Sequence, residues 1–212
     1  MTLILWRHGQ TDYNATHRFQ GQLDVPLNQV GRDQAAHAAR YLAALQPDAI
    51  FSSDLSRASQ TADALARLTG LSVKPEPDLR ERFGGEWEGL SNTEMREGYP
   101  EQYSRWEPPG GETASQVADR SSAAMERIAE SMAPGTVAVL VSHGACLGIG
   151  LGRLLGIADG TRVLGPFGNC HWSVVSQRGS HWRVLEHNVG WLPEPVPDPE
   201  DAGAVEAEPE ED

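Results

Sequence analysis

An α/β fold of three layers around a mainly parallel sheet is what this sequence predicts, on three observations. Strand-like apolar runs alternate with helical stretches along most of the 212 residues. Two of those runs, Thr2-Leu3-Ile4-Leu5-Trp6 and Thr136 to Ser142, lead into a histidine followed by glycine, His8-Gly9 and His143-Gly144. No run approaches the roughly 18 apolar residues that a membrane helix needs. Ligands of open α/β sheets bind at the carboxyl ends of the strands. The two histidines therefore read as halves of one site.

The elements follow in order. Residues 2–6 read as a buried strand, and residues 7–27 as a long loop rich in Gly, Gln, Asn and Asp with no helical period. Long ordered loops at strand ends more often carry function than fill space. Asn28 is placed to cap a helix to about Leu45, with Val30, Ala35, Ala38, Ala39, Leu42 and Leu45 on one face. Pro47 ends it. Ala49-Ile50-Phe51 is a short strand, residues 56–68 a helix stopped by Gly70, and Leu71-Ser72-Val73 a third strand. Residues 78–112 change texture, with many glycines and Trp87, Tyr99, Tyr103 and Trp106. They read as a small inserted lid, in which Ser91-Asn92-Thr93-Glu94 is a capping box. A helix over 113–132, a strand over 136–142 and a helix over 144–156 follow. The glycines of that last helix, Gly148, Gly150 and Gly152, suggest close packing. A hairpin over 171–176 and 182–187 turns through Arg178-Gly179. The domain spans residues 1–190, with the lid at about 78–112. Residues 191–212 form an acidic, Pro-rich tail that reads as disordered.

Composition narrows the function classes. Net charge is −13, which disfavours nucleic acid and anionic membrane as partners. Nine of the 30 acids lie between Glu194 and Asp212 with no base among them, so the remainder carries only −4. Trp6-Arg7-His8 cuts the first apolar run short, no secretory signal is expected, and the cytoplasm is the default location. Cys146 and Cys170 read as free, buried thiols. The histidines show no metal-ligand spacing, and the chain has neither a Walker A loop nor a Gly-x-Gly-x-x-Gly. No metal and no cofactor are therefore expected.

The candidate residues point to phosphate. A neutral imidazole at His8 is a competent nucleophile toward phosphorus. Gly9 lets a backbone approach a ligand. Arg7 offers a fixed fork of donors for phosphate oxygens. Arg57 lies in the first turn of a helix, where the macrodipole disfavours a cation, so an anion is expected beside it. His143 can hydrogen-bond the transferring phosphoryl group, with Gly144 next to it. A leaving alkoxide needs a proton, and Glu81, at the start of the lid, can supply it and later take one from water. Glu86 and Glu88 compete for that role. Asn14, Gln20, Gly21 and Gln22 supply neutral donors and backbone N–H groups to the first loop, for phosphate and substrate hydroxyls; turn chemistry is the other reading of Asn14 and Gly21. Trp87, Tyr103 and Trp106 either line the pocket or pack the lid on the sheet.

Taken together, Arg7-His8-Gly9-Gln10-Thr11 with Asn14, Ser52-Ser53-Asp54-Leu55-Ser56-Arg57-Ala58 with Thr61-Ala62, Leu79-Arg80-Glu81 with Gly85-Glu86-Trp87-Glu88-Gly89, Gly110-Gly111-Glu112-Thr113 and Ser142-His143-Gly144 resemble the histidine phosphatase superfamily, in its phosphoglycerate mutase-like branch. The resemblance covers residues 2 to about 188. It implies a six-stranded α/β/α sandwich with a lid, His8 as nucleophile, Arg7, Arg57 and His143 as phosphate pocket, Glu81 as general acid and base, Asn14 and Gln20 as pocket residues, and no required metal. Dimers are common in that family. Its mutases carry a longer lid and a Glu-Arg-His-Tyr-Gly-type segment. Here Arg82-Phe83-Gly84-Gly85 follows Glu81, which favours a phosphatase of small phosphorylated metabolites over a mutase, and either over a non-catalytic phospho-ligand binder. Gln20-Gly21-Gln22-Leu23-Asp24 and Gly168-Asn169 before Trp172 add a finer likeness to actinobacterial phosphatases of glucosyl-3-phosphoglycerate.

Overall fold

The computed structural model describes residues 1–158, 161, 163–179 and 181–190. Strand β1 (Thr2–Arg7) leads into a one-turn helix α1 (Asp12–Ala15), then α2 (Gln29–Ala44), β2 (Ala49–Ser52), α3 (Ser56–Thr69) and β3 (Val73–Pro75). The segment from 77 to 112 carries two single 3₁₀ turns and the short helices α4 (Asn92–Gly98) and α5 (Pro100–Arg105). After it come α6 (Ala114–Ser131), β4 (Val137–Ser142), α7 (Gly144–Leu154), β5 (Trp172–Arg178) and β6 (His181–Val189). The acidic tail expected over 191–212 lies outside the described residues.

The six strands form one sheet in the order β3-β2-β4-β1-β5-β6. It is mixed, which corrects the expectation of a mainly parallel sheet. The pairs β2–β3, β2–β4 and β1–β4 are parallel, whereas β1–β5 and β5–β6 are antiparallel. The physical reason lies in the connections. Helices return the chain for β1 to β4, but a short turn joins β5 to β6, and a short turn permits only an antiparallel partner.

Successive residues of β1 point to opposite faces, so both faces of the sheet are apolar. Ile4 and Trp6 pack with Ala35, Ala38, Ala39 and Leu42 of α2 and with Ala58, Ala62 and Leu65 of α3. Leu3 and Leu5 pack with Ala124, Met125 and Ile128 of α6 and with Leu147 and Leu151 of α7. Val30 and Leu45, assigned above to the buried face of α2, are exposed because they sit in its first turn and just past its end. Of the three helix glycines, only Gly150 shows the close packing expected: a Cβ there would lie 2.5 Å from Ser121 Oγ, while Gly148 and Gly152 face open space. Helix α1 escaped the periodicity argument because four residues hold barely one turn. Its Thr11 and Asn14 form a reciprocal capping box instead. Strand β3 begins two residues later than expected, fixed by Ile50 opposite Val73, and its Pro75 is tolerated on an edge strand. Both cysteines are free and buried. Among the described residues no helix is long and apolar enough to cross a membrane.

Candidate active site

The register of the sheet brings the two His-Gly segments together. β1 and β4 are neighbouring parallel strands with Arg7 opposite Ser142, so both chains leave the sheet at one level. The His8 N–H donates to Ser142 O at 3.0 Å, and the imidazoles of His8 and His143 sit edge to face with centroids 5.0 Å apart. The His8 carbonyl is held from the other side by Cys170 N–H and Asn169 Nδ2, each at 3.1 Å. Gly9 serves packing: a Cβ on it would meet Gly31 O of α2 at 2.3 Å. This replaces the reading that it lets a ligand approach.

The tautomer of His8 follows from its partner. Nδ1 lies 2.7 Å from Gly9 O. A carbonyl oxygen can only accept, so Nδ1 carries the proton and Nε2 keeps its lone pair. Burial, followed by the charges of Arg57 and Arg7, holds the His8 pKa well below that of a free imidazole. The ring is thus neutral, with one defined nucleophilic nitrogen.

Arg57 is fully buried in the first turn of α3. It donates from Nη2 to Gly21 O at 2.7 Å, from Nη1 to Leu23 O at 2.8 Å and from Nε to His143 Nδ1 at 3.2 Å. The loop that wraps it also supplies Asp24. The Asp24 carboxylate accepts from Ser56 N–H and Oγ–H, both at 2.7 Å, and so caps α3, whose own N-cap Leu55 has no side chain able to do it. His143 Nδ1 accepts from a guanidinium, so its proton sits on Nε2, which reaches Ser53 Oγ at 2.9 Å. Burial and then Arg57 depress the His143 pKa as well. Both of its ring nitrogens are engaged inside the protein. Ser53 was not among the candidates, although it stands in the Ser-Ser-Asp run after β2.

Glu81 lies at the mouth of the cleft. Its Oε1 accepts from Arg82 N–H at 2.7 Å and Cys146 N–H at 2.9 Å, and its Oε2 from Ala145 N–H at 3.2 Å. The carboxylate is thereby set on the N-terminus of α7, next to Gly144. Its backbone is tethered too. Arg120 of α6 donates to Asp78 O, Arg80 O and Glu81 O at 2.7–3.0 Å and pairs with Glu112 through Nε at 2.7 Å. Gln22 Nε2 donates to Glu81 O at 3.1 Å. The competing acids are placed otherwise: Glu86 accepts from Tyr99 OH at 2.9 Å, and Glu88 accepts from Gln22 N–H at 2.7 Å and Gly84 N–H at 3.0 Å.

Arg7, His8, Phe19, Gln20, Gly21, Arg57, Glu81, Arg82, Trp106, Gly144 and Ala145 line one cleft. Asn14 and Gln22 are not among its lining residues. Asn14 is buried in the capping box of α1, and Gln22 braces Glu81. Of the lid aromatics, Trp106 lines the cleft with Phe19, while Trp87 is buried beneath, its ring centroid 5.2 Å from Trp106 and 6.2 Å from Tyr103. Phe19, Arg82 and Arg120 were missed. Their partners lie far away in sequence, so no local pattern marks them. Among the described residues, no group of three or more His, Cys, Asp or Glu could hold a metal ion.

Comparison with known proteins matches the model of the histidine phosphatase superfamily, branch 1, to residues 3–190. The chain is 40% identical over 183 residues to glucosyl-3-phosphoglycerate phosphatase of Mycolicibacterium vanbaalenii, covering 80% of this chain and 81% of that one. It is 37% identical to the metal-independent phosphoserine phosphatase of Arabidopsis thaliana, covering 86% and 79%. A solved mycobacterial glucosyl-3-phosphoglycerate phosphatase in complex with VO3 superposes with a TM-score of 0.85 at 37% identity, covering 89% of this chain and 99% of that one.

Proposed function

The chain belongs to branch 1 of the histidine phosphatase superfamily and is a phosphomonoesterase; from that premise we propose that it hydrolyses small phosphorylated metabolites through a phosphohistidine on His8. The observation that carries the mechanism is the bond from His8 Nδ1 to Gly9 O, which leaves Nε2 unprotonated in a cleft that Arg7, Arg57 and Arg82 line. Nε2 attacks phosphorus in line, and the P–O bond to the leaving group breaks. Glu81 gives its proton to the leaving oxygen. The Nδ1–H to Gly9 bond stabilises the positive charge that the ring acquires. Arg7 and Arg57 spread over the equatorial oxygens, so catalysis is mainly positioning and electrostatics. Water then attacks, Glu81 takes its proton, the P–N bond breaks and phosphate leaves. His143 acts by fixing Arg57, and its neutral Nε2–H can turn from Ser53 to a phosphoryl oxygen. Gln20, Gly21 and Gly144 form the walls of the phosphate end.

Glucosyl-3-phosphoglycerate is the substrate that the relatives support best. The paired apolar clusters support a three-layer α/β/α sandwich for residues 1–190. The test is turnover of ³²P-labelled glucosyl-3-phosphoglycerate in the presence of chelator, quenched with alkali, in which a phosphohistidine is stable. Wild type is expected to release phosphate and to trap label on His8, and His8→Ala to do neither. Label returned to a second sugar acid instead of water would mean a mutase. Release by His8→Ala equal to wild type would end the mechanism.

A further inference from the structure

One peptide group sets the tautomer of His8, and that group is held from a second side. Gly9 O, which accepts the His8 Nδ1–H at 2.7 Å, and the Gln10 N–H belong to the same amide. The Gln10 N–H donates to Oε1 of Gln34 in α2 at 2.9 Å. A donor requires an acceptor, so the amide oxygen of Gln34, and not its nitrogen, faces the loop. In a trans peptide the carbonyl and the N–H point to opposite sides. The bonds therefore form a chain from His8 Nδ1–H through the Gly9–Gln10 amide to Gln34, and each bond polarises the next.

Packing fixes the amide in this place. A Cβ on Gly31 would have no room against Gln10 O, nor would one on Gly9 against Gly31 O, so loop and helix meet backbone to backbone. Gln34 follows Gly31 by nearly one turn of α2 and so reaches the amide. Asn28 fastens the next carbonyl: its N–H donates to Gln10 O and its Nδ2 to Gln10 Oε1, both at 3.1 Å. Thr61 Oγ1 of α3 accepts the Gly9 N–H at 3.1 Å. Gln34 itself does not line the cleft.

When Nε2 takes the phosphoryl group, the ring gains positive charge and its Nδ1–H becomes a stronger donor. A carbonyl whose own amide N–H is engaged is the stronger acceptor for it. We propose that Gln34 is a positioning residue for the nucleophile: through the Gly9–Gln10 amide it holds the His8 tautomer and stabilises the phosphohistidine. The inference rests on the phosphohistidine reading of the cleft. It requires opposite effects on the two half-reactions. Weakening the chain slows attack by Nε2, which builds charge on the ring, and speeds hydrolysis, which removes that charge. A merely structural loosening slows both.

The experiment compares wild type, Gln34→Leu and Gln34→Glu on saturating ³²P-labelled p-nitrophenyl phosphate, stopped in alkali. That leaving group needs no proton, so Glu81 does not mask the attack. The labelled fraction of enzyme, taken with kcat, gives the rate of each half-reaction. Gln34→Leu lacks the acceptor and is expected to slow phosphorylation and speed hydrolysis, each about three- to tenfold, the size of one hydrogen bond. Both rates unchanged, or both slowed, overturns the proposal. Gln34→Glu offers a carboxylate, a stronger acceptor, and is expected to slow hydrolysis about threefold relative to wild type. Hydrolysis at the wild-type rate or faster in Gln34→Glu overturns the proposal as well, and decides alone should Gln34→Leu not fold. Failure of the underlying reading looks different: wild type would carry no label on His8.

Discussion

The two ends of the cleft are built in different ways. At the phosphate end, Arg7, His8 and His143 stand on or just past the ends of adjacent parallel strands, and Arg57 on the helix that follows β2. The sheet ladder itself sets their spacing. At the leaving-group end, Glu81 and Arg82 lie on a stretch without strand or α-helix. They are placed by side chains from elsewhere: Arg120 of α6, Gln22 of the first loop and the amides at the start of α7. On the proposed mechanism, the first end makes its chemistry from residues that touch the phosphoryl group. The second depends also on Arg120 and Gln22, which are set behind Glu81 and do not line the cleft. On that mechanism this difference predicts a difference in kcat/KM, because the phosphate end faces every substrate alike, whereas in the phosphoryl-transfer step Glu81 matters most when the leaving oxygen needs a proton.

The largest expected effects lie at the phosphate end. His8→Ala should lower kcat/KM at least about a thousandfold for both alkyl phosphates and p-nitrophenyl phosphate, since it removes the nucleophile. Arg57→Ala should cost about 10²- to 10³-fold, again alike for the two classes, because it removes transition-state charge stabilisation. It also strips Gly21 O, Leu23 O and His143 of their donor. Arg120→Gln should differ in kind. Loosening Glu81 is expected to cost about 10- to 100-fold on alkyl phosphates, within the range for general acid catalysis, and less than about threefold on p-nitrophenyl phosphate, whose leaving group needs no proton. Steady-state kinetics on the two classes checks all three. An Arg120→Gln enzyme that slows equally on both would show a merely structural role, and the division between the ends would fail.

The same division explains what could be read from sequence. The phosphate end was legible because strand ends have a signature. Apolar runs stop abruptly at Arg7-His8-Gly9 and Ser142-His143-Gly144, and two such stops in a parallel sheet must face one edge. The antiparallel β5 and β6 were legible as a hairpin, but their place beside β1 was not, because apolar alternation does not say which neighbour a strand will choose. Glu81 stood out by its place at the start of the lid. What holds it did not, since Arg120 is one arginine among others on a polar helix face and its carbonyl partners lie about 40 positions away. Arg82 and Phe19 were missed for the same reason, and the exposed Val30 and Leu45 show a face pattern extended one step too far at each helix end.

Acid sharpens the comparison at the phosphate end. His8 and His143 both have folded-state pKa values below that of a free imidazole, through burial and the arginines. Below about pH 6.5 the unfolded chain binds protons that the folded chain refuses, so stability is fully present above that pH and declines as pH falls through it. Each ring's share is about 1.4 kcal/mol per pH unit until its folded pKa is reached. Phosphohistidine formation should behave oppositely, because the nucleophile stays neutral where a free imidazole would be charged. The expected result is a rapid-quench burst at pH 5.5 as fast as at pH 7.5, alongside a lower melting temperature. A burst that halves near pH 6.5, beyond what the substrate phosphate's own titration near pH 6 produces, would overturn the depressed pKa of His8.

The smallest effect tests whether the loop over 20–24 belongs to the phosphate end or only braces it. Asp24 does not touch the cleft. Its carboxylate caps α3 through Ser56, while Leu23 O and Gly21 O of the same loop hold Arg57. Asp24→Ala removes the cap, a loss of about 1 kcal/mol, which for a chain of this size lowers Tm by about 2–4 °C. The loop remains anchored to Arg57 by two hydrogen bonds, so kcat on either substrate class should change less than about threefold, with any loss appearing as weaker phosphate binding. Asp24→Asn, which keeps an acceptor for the Ser56 N–H, should recover most of the stability. Calorimetry and steady-state kinetics on the two variants separate the cases. A fall in kcat on both classes without a change in Tm would place Asp24 among the groups that set Arg57 for catalysis, and would extend the phosphate end outward from the strand ends into the loop.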